Sequence, residues 1–239
     1  MKGKIMTRQM KLNCVIQAVL GCLAIPDPSL NQEAMKIMRM ADRVCKCLVY
    51  YVSRQSLISQ NPKFYLTILN AITLAKCIYA HLWENSPYVS RQLKGIGQTF
   101  SSALASAGKV NFMLLEESHP RDLERIMNKG PPAGNIIRKQ ISLLPKYSFK
   151  VTTLNVRTVK IQLYLLNQTY LAENMEHLTA GANHKSYIIV GDTENYLLHM
   201  TSFTDSDLIH VYDGCTTIEV TRKHTIEHKI IVHCISSSF

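Results

Sequence analysis

The chain has 239 residues, of which 46% are hydrophobic and 18% are charged, and its formal net charge is +10. This composition excludes disordered and collagen-like proteins, and the length allows one large domain or two to three small ones. The sequence has no run of about 18 apolar residues, so it predicts a folded protein without a membrane span.

The cysteine content points to a reducing compartment. Seven cysteines are an odd number in a chain too large to depend on disulfide bonds, and the first residues do not resemble a secretory signal. We therefore expect the cytosol or the nucleus.

The positive charge lies in the first 147 residues. Residues 1–87 carry 11 Lys and Arg against 4 Asp and Glu, residues 88–147 carry 9 against 4, and residues 148–239 carry 7 against 9. The first two regions would attract a polyanion such as nucleic acid. A basic surface that serves only solubility is the alternative.

The apolar spacing changes twice along the chain and predicts an α+β fold with three domains. Residues 1–87 repeat apolar side chains every three to four positions, as in a helical bundle with short connections. Residues 88–147 predict about four shorter helices, interrupted by glycine and proline. Residues 148–239 alternate with a period of two and predict a small antiparallel β-sandwich.

Three helices are predicted in the first domain, separated by Pro26-Asp27-Pro28 and by the helix-start signal Asn61-Pro62. Their apolar stripes predict the buried residues Leu12, Val15, Val19, Leu20 and Leu23, then Ala34, Met38, Val44, Cys45 and Leu48, and then Ile68, Ile72, Tyr79 and Leu82.

The most informative motif is the glycine-hydrophobic-glycine turn at 95–97, between two short helices. Two glycines let the backbone turn tightly and approach a ligand, and the N–H groups that begin the next helix attract phosphate. Nearby Lys and Arg add positive charge. We predict a nucleic-acid-binding site made of Arg91, Lys94, Gly95, Ile96, Gly97, Thr99 and Lys109. A turn with a purely structural role is the alternative.

The segment His224-Thr225-Ile226-Glu227-His228 matches the H-x-x-E-H pattern of one class of zinc proteases. That pattern works on a helix, whereas the β-branched neighbours predict a strand, in which the two histidines would lie about 13 Å apart. A zinc hydrolase is therefore an alternative only if Glu227 lies on a helix. We predict no metal site and no catalytic residue. We also predict no cofactor in this chain, because the GxxxxGK[ST] loop that binds nucleotides is absent.

Four motifs resemble the Sec sixty-three domain that follows the motor of certain superfamily-two helicases. They are the hairpin at 90–97, the segment Asp122-Leu123-Glu124, the turn at 130–134, and the junction at 144–147, which reads Leu-Pro-Lys-Tyr. Segments 14–23, 82–86 and 188–192 are most similar to the Mer-three type of this family, the meiotic crossover DNA helicase.

The resemblance implies a nuclear, ATP-dependent DNA helicase that acts in homologous recombination and crossover formation. This chain would be its accessory part, inactive alone, with ATP and Mg²⁺ bound by motor domains that it lacks. A helix-hairpin-helix module would contact single-stranded or branched DNA. An immunoglobulin-like β-sandwich would contact the motor domains and recombination or mismatch-repair proteins.

The end of the chain departs from the family pattern, which continues into a final strand beyond 236–239. The sandwich is therefore expected to be either complete or one strand short. A fragment, a truncated gene product and a diverged isoform are all consistent with this.

The alternative function is that of a protein-interaction scaffold, as in the splicing and translocon proteins that share the domain. His119-Pro120-Arg121 resembles the HPD motif of chaperone partners, but Arg121 stands where that motif has aspartate. Binding of a protein through 148–239, without DNA affinity elsewhere, would favour this alternative.

Overall fold

A computed structural model describes residues 4–59, 63–181, 183–221 and 229–239. The predicted α+β class is confirmed, since helices precede two antiparallel sheets of three strands each. The helix-start signal Asn61-Pro62 and the H-x-x-E-H segment lie outside the described residues. Within the described ranges, no helix is long and apolar enough to cross a bilayer.

Three helices form the N-terminal part: α1 (Arg8–Leu20), α2 (Pro28–Ile58) and α3 (Tyr65–Ala80). The carboxylate of Asp27 accepts hydrogen bonds from the backbone of Ser29 and Leu30, and proline occupies the first position of α2. At 31 residues, α2 is about 46 Å long. The core that α1, α2 and α3 share contains Val15, Val19, Leu20, Ala34, Met38, Cys45 and Ile78.

The predicted apolar stripes are only partly buried. Val44 and Leu48 of α2 and Tyr79 of α3 are exposed, as are Leu12 and Leu23. Periodicity identifies the apolar side of a helix, but burial also requires a neighbouring element, and α1 and α3 together cover only part of α2. The prediction that these five residues are buried is wrong.

The middle of the chain contains a 3₁₀ helix (Val89–Gln92) followed by α4 (Gln98–Ser106), α5 (Phe112–Glu117), α6 (Pro120–Met127) and α7 (Ala133–Ser142). These helices surround a second core, which contains Leu93, Leu104, Leu115, Leu123, Met127, Ile137 and Ile141.

Helices α6 and α7 touch at Gly134. A Cβ atom at this position would lie 2.1 Å from the carbonyl oxygen of Pro120. The backbone N–H of Gly134 donates to Oε1 of the buried Glu124 at 3.2 Å. The segment 122–124 and the turn at 130–134, two of the motifs that carry the resemblance, therefore meet in one packing contact.

The C-terminal part contains two sheets. One joins β1 (Tyr147–Thr153), β2 (Thr158–Leu165) and β5 (Cys215–Thr221) in the order β1-β2-β5, and the other joins β3 (Lys185–Asp192), β4 (Leu197–Thr204) and β6 (Ile230–Ser236) in the order β4-β3-β6. Both sheets contribute to one core, which includes Val159, Ile161, Leu163, Ile188, Val190, Phe203 and Val220. Two short helices, α8 (Gln168–Glu173) and α9 (Asp205–His210), were not predicted, because six residues are too few to show a helical period.

Helix α3 packs against the second sheet. Tyr65 is 2% exposed and its hydroxyl lies 2.6 Å from Nδ1 of His233 in β6. A Cβ on Gly191 of β3 would lie 2.2 Å from the Tyr65 ring, so this contact requires glycine. The N-terminal helices and the second sheet thus share a core, and their relative position is fixed by side-chain packing.

The junction between α7 and β1 is held by hydrogen bonds. Asn167 accepts from the backbone N–H of Lys146 and donates to the carbonyl oxygens of Ser142 and Leu144. The hydroxyl of Tyr147 donates to the buried Asp205. Burial and the Asp205 charge raise the pKa of Tyr147, so the phenol stays protonated as a donor. The Leu-Pro-Lys-Tyr motif therefore has a structural role in this fold.

Candidate nucleic-acid interface

The glycine turn at 95–97 connects the 3₁₀ helix to α4. Gly95 has φ +85°, in the left-handed region that favours glycine, and Gly97 has φ −86° and ψ −175° as the N-cap of α4. The backbone N–H of Ile96 donates to the carbonyl of Leu93, which is buried in the second core. The turn is therefore anchored on its entering side.

Two side-chain contacts hold the hairpin from behind. Gln140 of α7 accepts from the backbone N–H of Lys94 at 2.7 Å and donates to its carbonyl at 3.1 Å. The buried hydroxyls of Ser90 and Ser101 lie 3.0 Å apart and join the 3₁₀ helix to α4. The hairpin is thus positioned without a ligand, and the N–H of Lys94 is already used within the protein.

Gly97 leaves the start of α4 open. Its φ is one that any residue adopts, and a Cβ placed on it would have no neighbour within 4 Å. Glycine is a common N-cap residue, and here it leaves room for an external group beside the helix start. No side chain among the described residues caps α4, so its first N–H groups have no side-chain partner there.

The structure brings most of the predicted site residues together. Lys94, Gly95, Gly97 and Thr99 are exposed at the hairpin, Arg91 is half-buried in the 3₁₀ helix, and Ile96 packs partly against the second core. Lys109 lies elsewhere, because α4 separates it from Gly97. Nine helical residues place it at the opposite end, about 14 Å away along the axis.

Lys129 is a nearby cation that sequence reasoning missed. It follows α6, and its ammonium lies 4.4 Å from the centre of the Phe100 ring in the first turn of α4. No sequence pattern connects residues 100 and 129, since only the packing of α6 against α4 brings them together. Lys129 therefore adds positive charge beside the start of α4.

A larger basic surface on α2 was also missed. Five cations and one tyrosine follow each other at intervals of three or four residues, so they lie on one exposed side of the helix. We call this surface the basic stripe, and it consists of Lys36, Arg39, Arg43, Lys46, Tyr50 and Arg54. The spacing is visible in the sequence once α2 is known to be one helix from Pro28 to Ile58.

The hairpin and the basic stripe lie on neighbouring elements. Burial lowers the pKa of His81, the charge of Arg91 lowers it further, and the charge of Asp42 raises it. The charges of Arg91, in the 3₁₀ helix, and of Asp42, in α2, thus both act on His81. In addition, the amide of Gln98 donates to the carbonyl of Cys22, in the loop that leads to α2.

The described residues contain no group of three or more potential metal ligands. His119 has a structural role, since its Nδ1 accepts from the backbone N–H of Arg121 and caps α6. The His-Pro-Arg segment is thus the beginning of a helix, with Pro120 at its first position.

Comparison with known proteins confirms the resemblance. The Sec63 Brl domain family matches residues 1–239. The chain is 38% identical over 246 positions to the probable ATP-dependent DNA helicase HFM1 of Homo sapiens, covering 100% of this chain and 16% of that protein. It is 32% identical over 200 positions to the ATP-dependent DNA helicase homolog MER3 of Arabidopsis thaliana, covering 83% of this chain and 17% of that protein. The chain thus spans about one sixth of the length of these relatives.

Proposed function

This chain belongs to the Sec63 Brl domain family, and on that basis we propose that it is the accessory, DNA-contacting region of a nuclear helicase that acts in meiotic recombination and crossover formation. It has no catalytic role of its own. Its sequence contains no GxxxxGK[ST] loop, so ATP and Mg²⁺ belong to the motor domains of the complete helicase.

The basic stripe is the observation that carries this proposal. Its cations lie on one side of α2, where phosphates of a single strand would contact them in succession. Tyr50 lies among them with an exposed ring, and bases stack on such rings without sequence preference. The stripe is therefore suited to a strand that is held by its backbone.

The hairpin supplies the second contact. Gly97 and the N–H groups that begin α4 would hold one phosphate, and Lys94 and Lys129 would neutralise its charge. Lys109, at the far end of α4, would not touch that phosphate.

The two sheets would serve for protein contacts. Residues 148–239 carry 7 Lys and Arg against 9 Asp and Glu, so their net charge attracts a DNA backbone less than the basic region before them does. The packing of Tyr65 on Gly191 would keep these sheets at a fixed position relative to the DNA-contacting helices. Contact with the motor domains and with recombination or mismatch-repair proteins is part of the proposal.

DNA binding is tested by fluorescence anisotropy with labelled single-stranded, duplex and branched DNA. Four to five phosphate contacts predict a slope of log K against log salt of about −3 for single strands, or roughly a 60-fold loss of affinity between about 50 and 200 mM salt. A folded chain that binds none of the three DNAs at low salt would contradict the proposal and favour the protein-interaction scaffold.

A further inference from the structure

Strand β4 is one edge of the second sheet, and a groove runs beside it. The sheet order is β4-β3-β6, so β4 pairs with a strand on one side only. The groove has a volume of about 630 Å³ and is lined by all six residues from Leu197 to Ser202. A groove on one face of the sheet would be lined by alternate residues, so this one follows the unpaired edge. We call it the β4 groove, and its other wall is the end of α2, with Ser53, Ser56, Leu57 and Ser59.

The backbone of β4 directs hydrogen-bonding groups into this groove. Beyond the end of β4, the N–H of Asp205 donates to the carbonyl of His184, and the register between β3 and β4 is regular from there to the pair of Val190 with His199. Residues two apart in a strand direct their backbone groups to the same side. The N–H and C=O groups of Met200 and Ser202 therefore point away from β3. Within the described part of the chain, these four groups have no hydrogen-bond partner.

The wall of the groove is polar but uncharged. The hydroxyls of Ser53 and Ser56 donate to carbonyl oxygens within α2, so their lone pairs can still accept hydrogen bonds. None of the described lining residues is Asp, Glu, Lys or Arg. The remaining titratable group is His199, and burial lowers its pKa, so its ring is neutral at pH 7. A phosphate backbone has nothing to bind here, and a charged side chain would lose its hydration without gaining a partner.

The edge of β4 lacks the usual protection against strand pairing. Exposed edges are commonly protected by lysine, proline or other charged residues. The edge strands of the first sheet follow this rule, since β1 contains Lys150 and β5 contains Glu219. Strand β4 contains no proline and no charged residue. Its lining residues extend over about 20 Å, which is the length of a typical strand. An extended segment in the groove would bond to the outward groups of β4 and place alternate side chains against α2.

The ends of this chain lie away from the groove. Helix α1 is joined to the beginning of α2 by the ion pair between Lys11 and Glu33, and Ser53 lies about 30 Å further along α2. The last residues follow β6, at the opposite edge of the sheet. A second copy joined edge to edge would place both α2 helices, with their basic stripes, on the same side of the combined sheet, which costs binding energy.

We propose that the β4 groove binds an uncharged, extended segment of another protein, which joins the second sheet as a fourth strand. The contact rests on the proposed role of the sheets in protein contacts, and it is independent of DNA binding by the hairpin and the basic stripe. Main-chain hydrogen bonds to Met200 and Ser202 supply affinity, and the wall of α2 selects side chains without charge.

The probe is a displayed library of random octapeptides, selected on the full chain. We expect the selected peptides to have uncharged central residues and to protect the N–H groups of Met200 and Ser202 from hydrogen exchange. Ser202→Pro removes one outward N–H and no bond to β3, so it is expected to weaken peptide binding by about tenfold or more. Val151→Pro is the matched control on the edge strand β1 and leaves binding unchanged. The bond between Leu154 and Thr158 places the Val151 N–H on the outer side of β1.

A second variant tests the groove without changing the β4 backbone. Ser56→Trp fills the groove from the α2 side and is expected to weaken peptide binding by about tenfold. Its control is Ile58→Trp, at an exposed residue of the same turn that does not line the groove. If the library yields no peptide, or if the folded Ser202→Pro and Ser56→Trp variants bind the selected peptides as tightly as the wild type, the β4 groove is not a strand-binding site.

Three further measurements identify the occupant. Light scattering is expected to show a monomer, and a dimer that Ser202→Pro dissociates would identify a second copy instead. A chimera in which this chain replaces the matched region of human HFM1 is expected to bind the peptides, and loss of binding there would mean that the remainder of the helicase covers the groove. The DNA affinity of Ser202→Pro is expected to equal that of the wild type, so failure of the groove leaves the DNA contact standing.

Discussion

Replacing Gly134 by alanine is expected to lower the free energy of unfolding by about 3 kcal/mol, the upper part of the range for overpacked sites. The new methyl group would lie 2.1 Å from a backbone oxygen of α6, which cannot rotate away as a flexible side chain can. Helices α6 and α7 would have to separate, and the hydrogen bond from the Gly134 backbone to the buried Glu124 would lengthen. The better helix propensity of alanine offsets only about 1 kcal/mol of this cost.

Urea denaturation followed by circular dichroism measures this effect. Gly130→Ala is the matched control, because a Cβ at Gly130 meets nothing within 4 Å, and we expect a change within about 0.5 kcal/mol. If Gly134→Ala unfolds at the same urea concentration as the wild type, the close contact between α6 and α7 is not as described.

Reversing two charges of the basic stripe, with Arg39→Glu/Arg43→Glu, is expected to weaken single-stranded DNA binding by at least about 30-fold at low salt. Each side chain would lose an attraction to phosphate and gain a repulsion. The salt slope would become shallower by about 1.4, since two contacts of about 0.7 each are lost. Both side chains are exposed, so the fold is expected to remain intact.

The control for total charge is Lys150→Glu/Arg157→Glu, which makes the same change in net charge on exposed residues of the first sheet region. We expect its affinity to fall less than about threefold, through the long-range field alone. Equal losses in the two double variants would mean that binding follows net charge and does not involve a site on α2.

Local patterns sufficed for much of the fold. The alternation of apolar residues from Val159 to Leu165 is typical of a strand and coincides with β2, and the turn-rich segment after Val190 joins β3 to β4. Gly108 follows α4 with φ +77°, the left-handed conformation in which glycine commonly ends a helix. Each of these features depends on residues that are close together in the chain, so the sequence contains the information.

Tertiary contacts explain what was missed. The exposed Val44 and Leu48 have the apolar spacing of core residues, and local sequence does not show that no helix among the described residues covers them. The proximity of Lys129 to Phe100 and of Gly134 to Pro120 depends on how α6 packs. The spacing of three and four residues in the basic stripe is local and could have been noticed in the sequence. The six residues lie on one side, however, only because α2 is one unbroken helix.

The central claim is that the hairpin binds a phosphate, and Gly97→Val tests it most directly. A Cβ at position 97 would meet nothing within 4 Å, so valine adds bulk at the open space where a phosphate is placed, although it is a weaker N-cap than glycine. Ser106→Val, at the exposed far end of α4, is the control for added bulk, and both variants must be fully folded at the assay temperature. We expect Gly97→Val to lower DNA affinity by about tenfold while Ser106→Val leaves it unchanged. If folded Gly97→Val binds DNA as tightly as the wild type, the glycine turn is structural and the proposed phosphate contact does not exist.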